Sequence, residues 1–274
     1  MVGMDPFMDL AKNTGHVAEL KRLSDLNAVF FDALNGQFVQ APLDLKTSGK
    51  RILDSGTADG IWLRDVRAAA PAEHEYFGSD VEPELFPKDP DGIKYFQHSF
   101  RDPWPAELRG TFDLVHIRGS LAASSPMKPI EVVKNLATLL KPGGWIQLME
   151  MNGFKAPTGG PAMNDFWKVG REAWHGIGVG DYANHLKDFL TELGLKNVQE
   201  KRILCELGKT AKPELFERSI NAVTQPSIGI VAVAKTVPSS FTHEQLDAIP
   251  GRMRAELEKE GGRIEEVIAW GQLA

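Results

Sequence analysis

From residue 51 onward, short apolar runs alternate with longer amphipathic stretches, and this rhythm constrains the fold more than any other property of the chain. Runs at 51–54, 76–78, 93–96, 112–117 and 145–149 read as strands. Stretches at 61–69 and 129–140 read as helices, the second stopped by Lys141-Pro142-Gly143-Gly144. Repeated alternation of strand and helix requires a parallel sheet covered on both faces. Before it, apolar residues at helical spacing from Asp9 to Leu34, interrupted at Asn13-Thr14-Gly15, predict helices. After it, 162–194 predicts two helices and 213–260 two or three more, broken at Pro226 and Pro238, with late strands around 198–207 and 263–270. The expected architecture is an α/β, doubly wound, mostly parallel sheet. Residues 1–45 form an N-terminal helical cap on the main domain of residues 46–274.

Charge narrows the partners. Lys and Arg number 31 against 37 Asp and Glu, a net charge of −6, so the chain has no basic field for nucleic acid or an anionic membrane. A small molecule is the expected partner. Apolar stretches such as 230–234 fall far short of the ~20 residues of a membrane span, and the opening Met1-Val2-Gly3-Met4-Asp5-Pro6 carries no basic-then-apolar leader, so a cytosolic setting is expected. The one cysteine, Cys205, excludes an intrachain disulfide framework and any zinc site built on several thiolates. His16, His74, His185 and His243 show no metal-ligand spacing, and no metal is expected.

The segment Arg51-Ile52-Leu53-Asp54-Ser55-Gly56-Thr57-Ala58-Asp59-Gly60-Ile61-Trp62 leaves a buried strand through a glycine turn into a helix. That geometry puts ligand contacts at the carboxyl end of a sheet. A dinucleotide fingerprint fails, because Ala58 and Ile61 stand where its second and third glycines belong, and no phosphate-loop Gly-Lys-Ser/Thr follows. Asp54 at the strand tip suits a cation, while the Gly56 N–H and the helix start suit a carboxylate. Together they match an amino-acid head group. Asp80, 20 residues after Gly60, ends the next strand and is placed to accept both hydroxyls of a ribose. Amino acid on one strand and nucleoside on the next point to S-adenosylmethionine (SAM). Either acid alone would read as a strand-end cap.

These residues resemble the class I SAM-dependent methyltransferases, in particular the branch typical of fungal secondary metabolism, which also includes a nuclear regulator of gene clusters. The resemblance rests on 53–62, on Gly78-Ser79-Asp80-Val81-Glu82-Pro83, on Phe112-Asp113-Leu114-Val115-His116-Ile117-Arg118-Gly119-Ser120 and on Leu140-Lys141-Pro142-Gly143-Gly144-Trp145. It implies a seven-stranded Rossmann-like sheet with helical lid insertions at about 155–190 and 211–260. It implies SAM lying over the first two strands, held by Asp54, Gly56, Thr57, Gly60, Trp62, Asp80, Val81, Ser99, Phe100 and His116. Two positions depart from the family pattern. Ala58 stands at a usual glycine, and His98-Ser99-Phe100 replaces the usual acid near the adenine amino group. There Ser99 offers a hydrogen-bond acceptor and Phe100 a ring to pack on the adenine.

Methyl transfer is an in-line displacement in which positioning does most of the work, and a base is needed only for a protonated acceptor. His116 ends the fourth strand, and its near-neutral pKa suits it to take that proton. Glu150 and His175 are further candidate catalytic groups. Arg118, on the same strand face as His116, and Asn152 are candidates for holding polar substrate groups, with Trp167 and Trp174 lining an aromatic cavity. Each has a plainer reading as packed histidine, ion pair, loop cap or core aromatic. The leading expectation is methyl transfer to a small, aromatic or heterocyclic natural-product acceptor. A SAM-dependent rearrangement or cyclisation without methyl transfer, and a regulatory methyltransferase-like protein, stay open, as does a homodimer exchanging its N-terminal helices.

Overall fold

A computed structural model describes residues 16–154 and 159–274. The helical start expected at Asp9, its break at 13–15 and the lid's first residues at 155–158 lie outside the described residues. The helices are α1 (His16–Ala33), α2 (Ile61–Ala69), α3 (Pro129–Ala137), α4 (Pro161–Gly176), α5 (Leu186–Glu192), α6 (Phe216–Ala234) and α7 (His243–Lys259). The strands are β1 (Arg51–Ser55), β2 (Glu75–Asp80), β3 (Lys94–Gln97), β4 (Phe112–Arg118), β5 (Leu140–Met151), β6 (Lys196–Leu207) and β7 (Gly262–Gln272).

Among the described residues one seven-stranded sheet runs in the order β3-β2-β1-β4-β5-β7-β6. The pairs β2·β3, β1·β2, β1·β4 and β4·β5 are parallel. β7 runs the other way. Beside β5, Gly143 bonds the Leu273 carbonyl and Asn152 the Glu265 carbonyl, so partner numbers fall as β5 advances. Beside β6, Asn197 reaches Gln272 while Arg263 reaches Glu206, the same antiparallel sense. The expected mostly parallel sheet is therefore present, and both late strands are longer than their apolar runs.

Two expected boundaries are corrected. Pro226 lies inside α6 and does not break it. A proline in a helix interior costs ~3 kcal/mol, but Ala222, Val223, Ile230, Val231, Val233 and Ala234 are all buried, and that burial outweighs the lost bond. Nor does Lys141-Pro142-Gly143-Gly144 stop a helix. α3 has ended at Ala137, and the four residues belong to β5. They sit where the β4–β5 register shifts between Phe112 and Leu114, and a Cβ on Gly144 would lie 2.7 Å from the Phe112 carbonyl oxygen. Glycine here answers to a bulge.

The chain forms two compact units. One comprises residues 37–150, 184–202 and 267–274 and contains the parallel strands. In it β1 and β4 are sheet neighbours, so the chain reverses its direction of travel at their carboxyl ends, where open α/β sheets bind ligands.

The other unit holds residues up to Gly36 with 151–183 and 203–266. Asp25 of α1, buried, is held by Arg218 of α6 at 3.0 Å and by Lys21. Glu256 of α7 accepts the N–H groups of Ala162 and Met163 at 2.7 and 3.0 Å, capping α4 across 94 residues of sequence. Trp174 is wedged between two glycines, since a Cβ on Gly153 or Gly170 would stand 2.4 or 2.7 Å from its ring. Gly170→Ala therefore sets a helix-propensity gain of up to ~1 kcal/mol against an overpacking cost of ~1–3 kcal/mol. The clash is expected to win, and a thermal melt should show Tm lowered by a few degrees; a raised Tm would show that the ring is free to move.

Candidate active site

The turn after β1 is bound to the tip of β2. The N–H groups of Gly56 and Thr57 donate to the Ser79 carbonyl at 2.8 and 3.0 Å, that of Ala58 to Asp80 Oδ2 at 2.8 Å, and that of Gly60 to the Thr57 carbonyl at 2.8 Å. Asp59 takes the Ile61 N–H at 3.1 Å and pairs with Arg64 at 3.0 Å. The expectation that the Gly56 N–H serves a ligand carboxylate is thus corrected, because β1–β2 bonding extends into the turn and uses it. The anion-seeking groups that remain are those of the first turn of α2 after Ile61, because Gly60 at its N-cap has no side chain to take them.

Gly56 and Gly60 have φ of +71° and +72°, and a Cβ on them would meet Ser120 Oγ at 2.6 Å and the Tyr95 hydroxyl at 2.0 Å. Only glycine fits either position. Ala58, the residue at a usual glycine, is also left-handed at φ +48°. Such a backbone costs an alanine roughly 1–2 kcal/mol. Ala58→Gly is accordingly expected to stabilise the protein and raise Tm by a few degrees, measured by calorimetry; an unchanged or lower Tm would mean that the Ala58 methyl makes up the difference by packing.

Asp80 Oδ1 also accepts the Glu82 N–H at 3.1 Å, so its carboxylate is fixed in place. Burial pushes its pKa up, against the pull of the Glu82, Ala58 and Val81 N–H groups. Ser55 Oγ, Thr57 Oγ1 and Ser79 Oγ are buried with no hydrogen-bond partner among the described residues. Buried hydroxyls are normally bonded, so this donor set fits a polar ligand such as an aminoacyl nucleoside. Beyond β3, Ser99 Oγ accepts the Arg101 N–H at 3.2 Å, and the Phe100 carbonyl accepts Asn135 at 2.9 Å. The backbone of this loop is tied to the sheet where the His98 N–H meets the Asp80 carbonyl at 2.9 Å.

Asp54, His116 and Gln147 stand abreast on β1, β4 and β5. His116 Nδ1 lies 2.8 Å from Asp54 Oδ1, and Trp62 stacks on the imidazole with centroids 3.8 Å apart and planes within 6°. His116 is completely buried, and burial holds its pKa below the ordinary histidine value against the pull of Asp54. Gln147 anchors the chain between α1 and β1, accepting the Gln40 and Ala41 N–H groups at 2.7 and 3.1 Å and donating to the Phe38 carbonyl at 2.9 Å. The Arg118 guanidinium lies 5.5 Å from the Phe38 ring centroid.

Glu150 braces the loop after β4, its Oε1 accepting the Ser120 and Leu121 N–H groups at 3.0 and 2.9 Å. Asn152 donates to Glu265 at 2.9 Å and accepts the Phe154 N–H at 3.1 Å. Trp167 and Trp174 are buried, and His175 is exposed with its ring edge-on to Phe154 at 5.2 Å. Asn152, Trp167, Trp174 and His175 belong to the unit without the parallel strands. Asp54, Trp62 and His116 are brought together; Asp80 and Val81 stand two strands from His116. Sequence reasoning missed Ser55, Ser79, Tyr95 and Gln147. Only Gln147 left a signal, a lone amide between Ile146 and Leu148.

A family model described as a methyltransferase domain matches residues 28–201. "Methyltransferase psoC" of Aspergillus fumigatus is 61 % identical over 271 residues, covering 99 % of this chain and 100 % of that protein. The chain belongs to the methyltransferase domain family. With membership go SAM as cofactor and transfer of its methyl group. Similarity extends to "N-methyltransferase tcpN" of Claviceps purpurea, 31 % identical over 284 residues with 98 % and 99 % of the two chains covered. It extends also to "N-methyltransferase sirN" of Leptosphaeria maculans, 32 % identical over 248 residues with 88 % and 87 % covered. In this methyltransferase no described helix is long and apolar enough to cross a membrane, and no described group of three or more His, Cys, Asp or Glu could hold a metal ion.

Proposed function

We propose that the chain N-methylates a small natural product bearing an aromatic or heterocyclic ring, acts in the cytosol, and uses His116 to take the acceptor's proton. The observation that carries the reading is His116 itself, an imidazole whose charged form burial disfavours, with one nitrogen on a carboxylate and the other, Nε2, buried without a partner among the described residues. Nitrogen as the acceptor atom is supported by the relatives called N-methyltransferases, two of them 31 % and 32 % identical. The net charge of −6 favours a small acceptor over a nucleic acid, and the single, unpaired Cys205 suits a reducing compartment. The bound cofactor supplies an electrophilic methyl group.

In this reading Asp80 receives the ribose, Thr57, Gly60, Trp62 and Val81 surround the cofactor, and Ser99 and Phe100 face its base. Arg118 orients a polar group of the acceptor. The purified protein incubated with methyl-labelled SAM and a fungal small-molecule extract should yield a labelled product that is absent without the protein, and fragmentation of that product should place the label on nitrogen; a label on oxygen or carbon would overturn the acceptor assignment.

Two substitutions test the residues. Asp80→Ala should weaken S-adenosylhomocysteine binding by about 10- to 100-fold, because a hydrogen bond to a charged acceptor contributes ~1.5–3 kcal/mol. Titration calorimetry reads this directly, and unaltered affinity would remove Asp80 from the ribose site. His116→Gln should lower turnover by ~10²- to 10⁴-fold with S-adenosylhomocysteine affinity nearly intact. A base must be deprotonated to act, and burial lowers the pKa of His116. The wild-type rate should therefore stay level through the ordinary histidine range and fall only at lower pH. A variant with lost thermal stability but normal turnover per folded molecule would make His116 structural.

A further inference from the structure

Asp54 and His116 face each other across adjacent parallel strands, β1 and β4, with Nδ1 and Oδ1 2.8 Å apart and the residues 3 % and 0 % exposed. A carboxylate oxygen accepts hydrogen bonds, so Nδ1 is the ring nitrogen that donates across this pair, and in the neutral ring the lone pair lies on Nε2. Trp62 lies flat on the ring and fixes its plane. Nε2 is buried and has no partner among the described residues, an arrangement that calls for a donor not supplied by the chain itself.

We propose that Asp54 is the positioning residue of this pair, holding His116 as the Nδ1–H tautomer so that Nε2 receives the proton of a bound acceptor. The inference rests on the reading of His116 as the base, and gives Asp54 a role other than gripping the cofactor's ammonium. The acceptor nitrogen's lone pair forms the new bond to the methyl carbon, and the methyl–sulfur bond breaks with its electron pair kept by sulfur. The acceptor's proton passes to Nε2, leaving an imidazolium whose charge lies against the Asp54 carboxylate. Charge is conserved, and no further reactant is needed.

The surroundings keep the ring ready. Burial holds its pKa down, Arg118 further along β4 pushes the same way, and Asp54 opposes both. On β5 the neighbour is Gln147, uncharged and engaged with Phe38, Gln40 and Ala41, and from α2 it is the uncharged Trp62. The bare Nε2 could also be met by an ammonium at the cofactor's amino-acid end, so the test separates these sources.

Nitrogen-15 NMR of the imidazole, on wild type alone and with S-adenosylhomocysteine, is expected to show a protonated Nδ1 and a bare Nε2 in both states. In Asp54→Asn, whose side chain can donate to Nδ1, the proton should move to Nε2, and calorimetry with S-adenosylhomocysteine should show binding reduced by much less than turnover. Turnover of the labelled acceptor should fall at least 100-fold, as expected when a base presents the wrong tautomer. A protonated Nε2 in wild type, which needs no variant to detect, would overturn the proposal. So would an Nε2 signal moved by S-adenosylhomocysteine alone, or Asp54→Asn binding weakened as much as turnover, either of which would assign the pair to the cofactor's ammonium. If the tautomer moves as expected while His116→Gln retains turnover, the base reading fails and the hold of Asp54 on the ring stands.

Discussion

The hydrogen bond between Asp54 and His116 joins the two strands at which the chain reverses its course across the sheet. Neither side chain is at home there by itself. A lone buried carboxylate or imidazole would bear its desolvation uncompensated, and each relieves the other. Their meeting requires β1 and β4 to be in one register, because a slip of one residue would turn His116 to the opposite face. The same rung extends outward. Gly78 on β2 leaves room for Thr57 and Tyr95, either of which a Cβ would approach to 2.8 Å. On the other side Gln147 ties down the chain between α1 and β1. A rung of Gly78, Asp54, His116 and Gln147 thus crosses β2, β1, β4 and β5.

The turn shows how tightly such a site is built. Its backbone donors are spent on the β2 tip and on Asp80 and Asp59, and the polar groups around it left without a partner among the described residues are the hydroxyls of Ser55, Thr57 and Ser79. Asp80, half-buried at the tip of β2, braces Ala58 with one carboxylate oxygen and Glu82 with the other. The strained Ala58 is held by the Asp80 bond in a backbone conformation it would not adopt in isolation.

Much of this architecture was legible because buried parallel strands announce themselves. The run 112–117 needed no context to read as a strand and falls one residue short of β4, and 61–69 had the bounds of α2. Reading failed where packing overrides local preference. Pro226 looks like a break until the buried face of α6 is known, and Pro142-Gly143-Gly144 looks like a helix stop until the bulge beside Phe112 is seen. At the site, strand-tip acids could be found from their spacing, but their partners could not. Nothing in the residue types says that Asp54 meets an imidazole 62 positions away, or that Glu150 caps a turn 30 positions before it. Such pairings follow from strand order, which local patterns do not contain.

The slot taken by β7 has a consequence for how the chain is made. β7 lies between β5 and β6, yet it follows β6 only after α6 and α7. A nascent chain that has reached residue 261 carries five paired parallel strands, an open β5 edge, and a β6 with no strand beside it. Ribosomes extend chains at roughly 5–20 residues per second, so this interval is short during uninterrupted synthesis and long during a pause. Bare edges are templates for wrong pairing, and here the 11 residues of one strand cover two of them at once. Ribosome stalling ahead of residue 262 is therefore hazardous to solubility, because both edges stay bare until β7 is made.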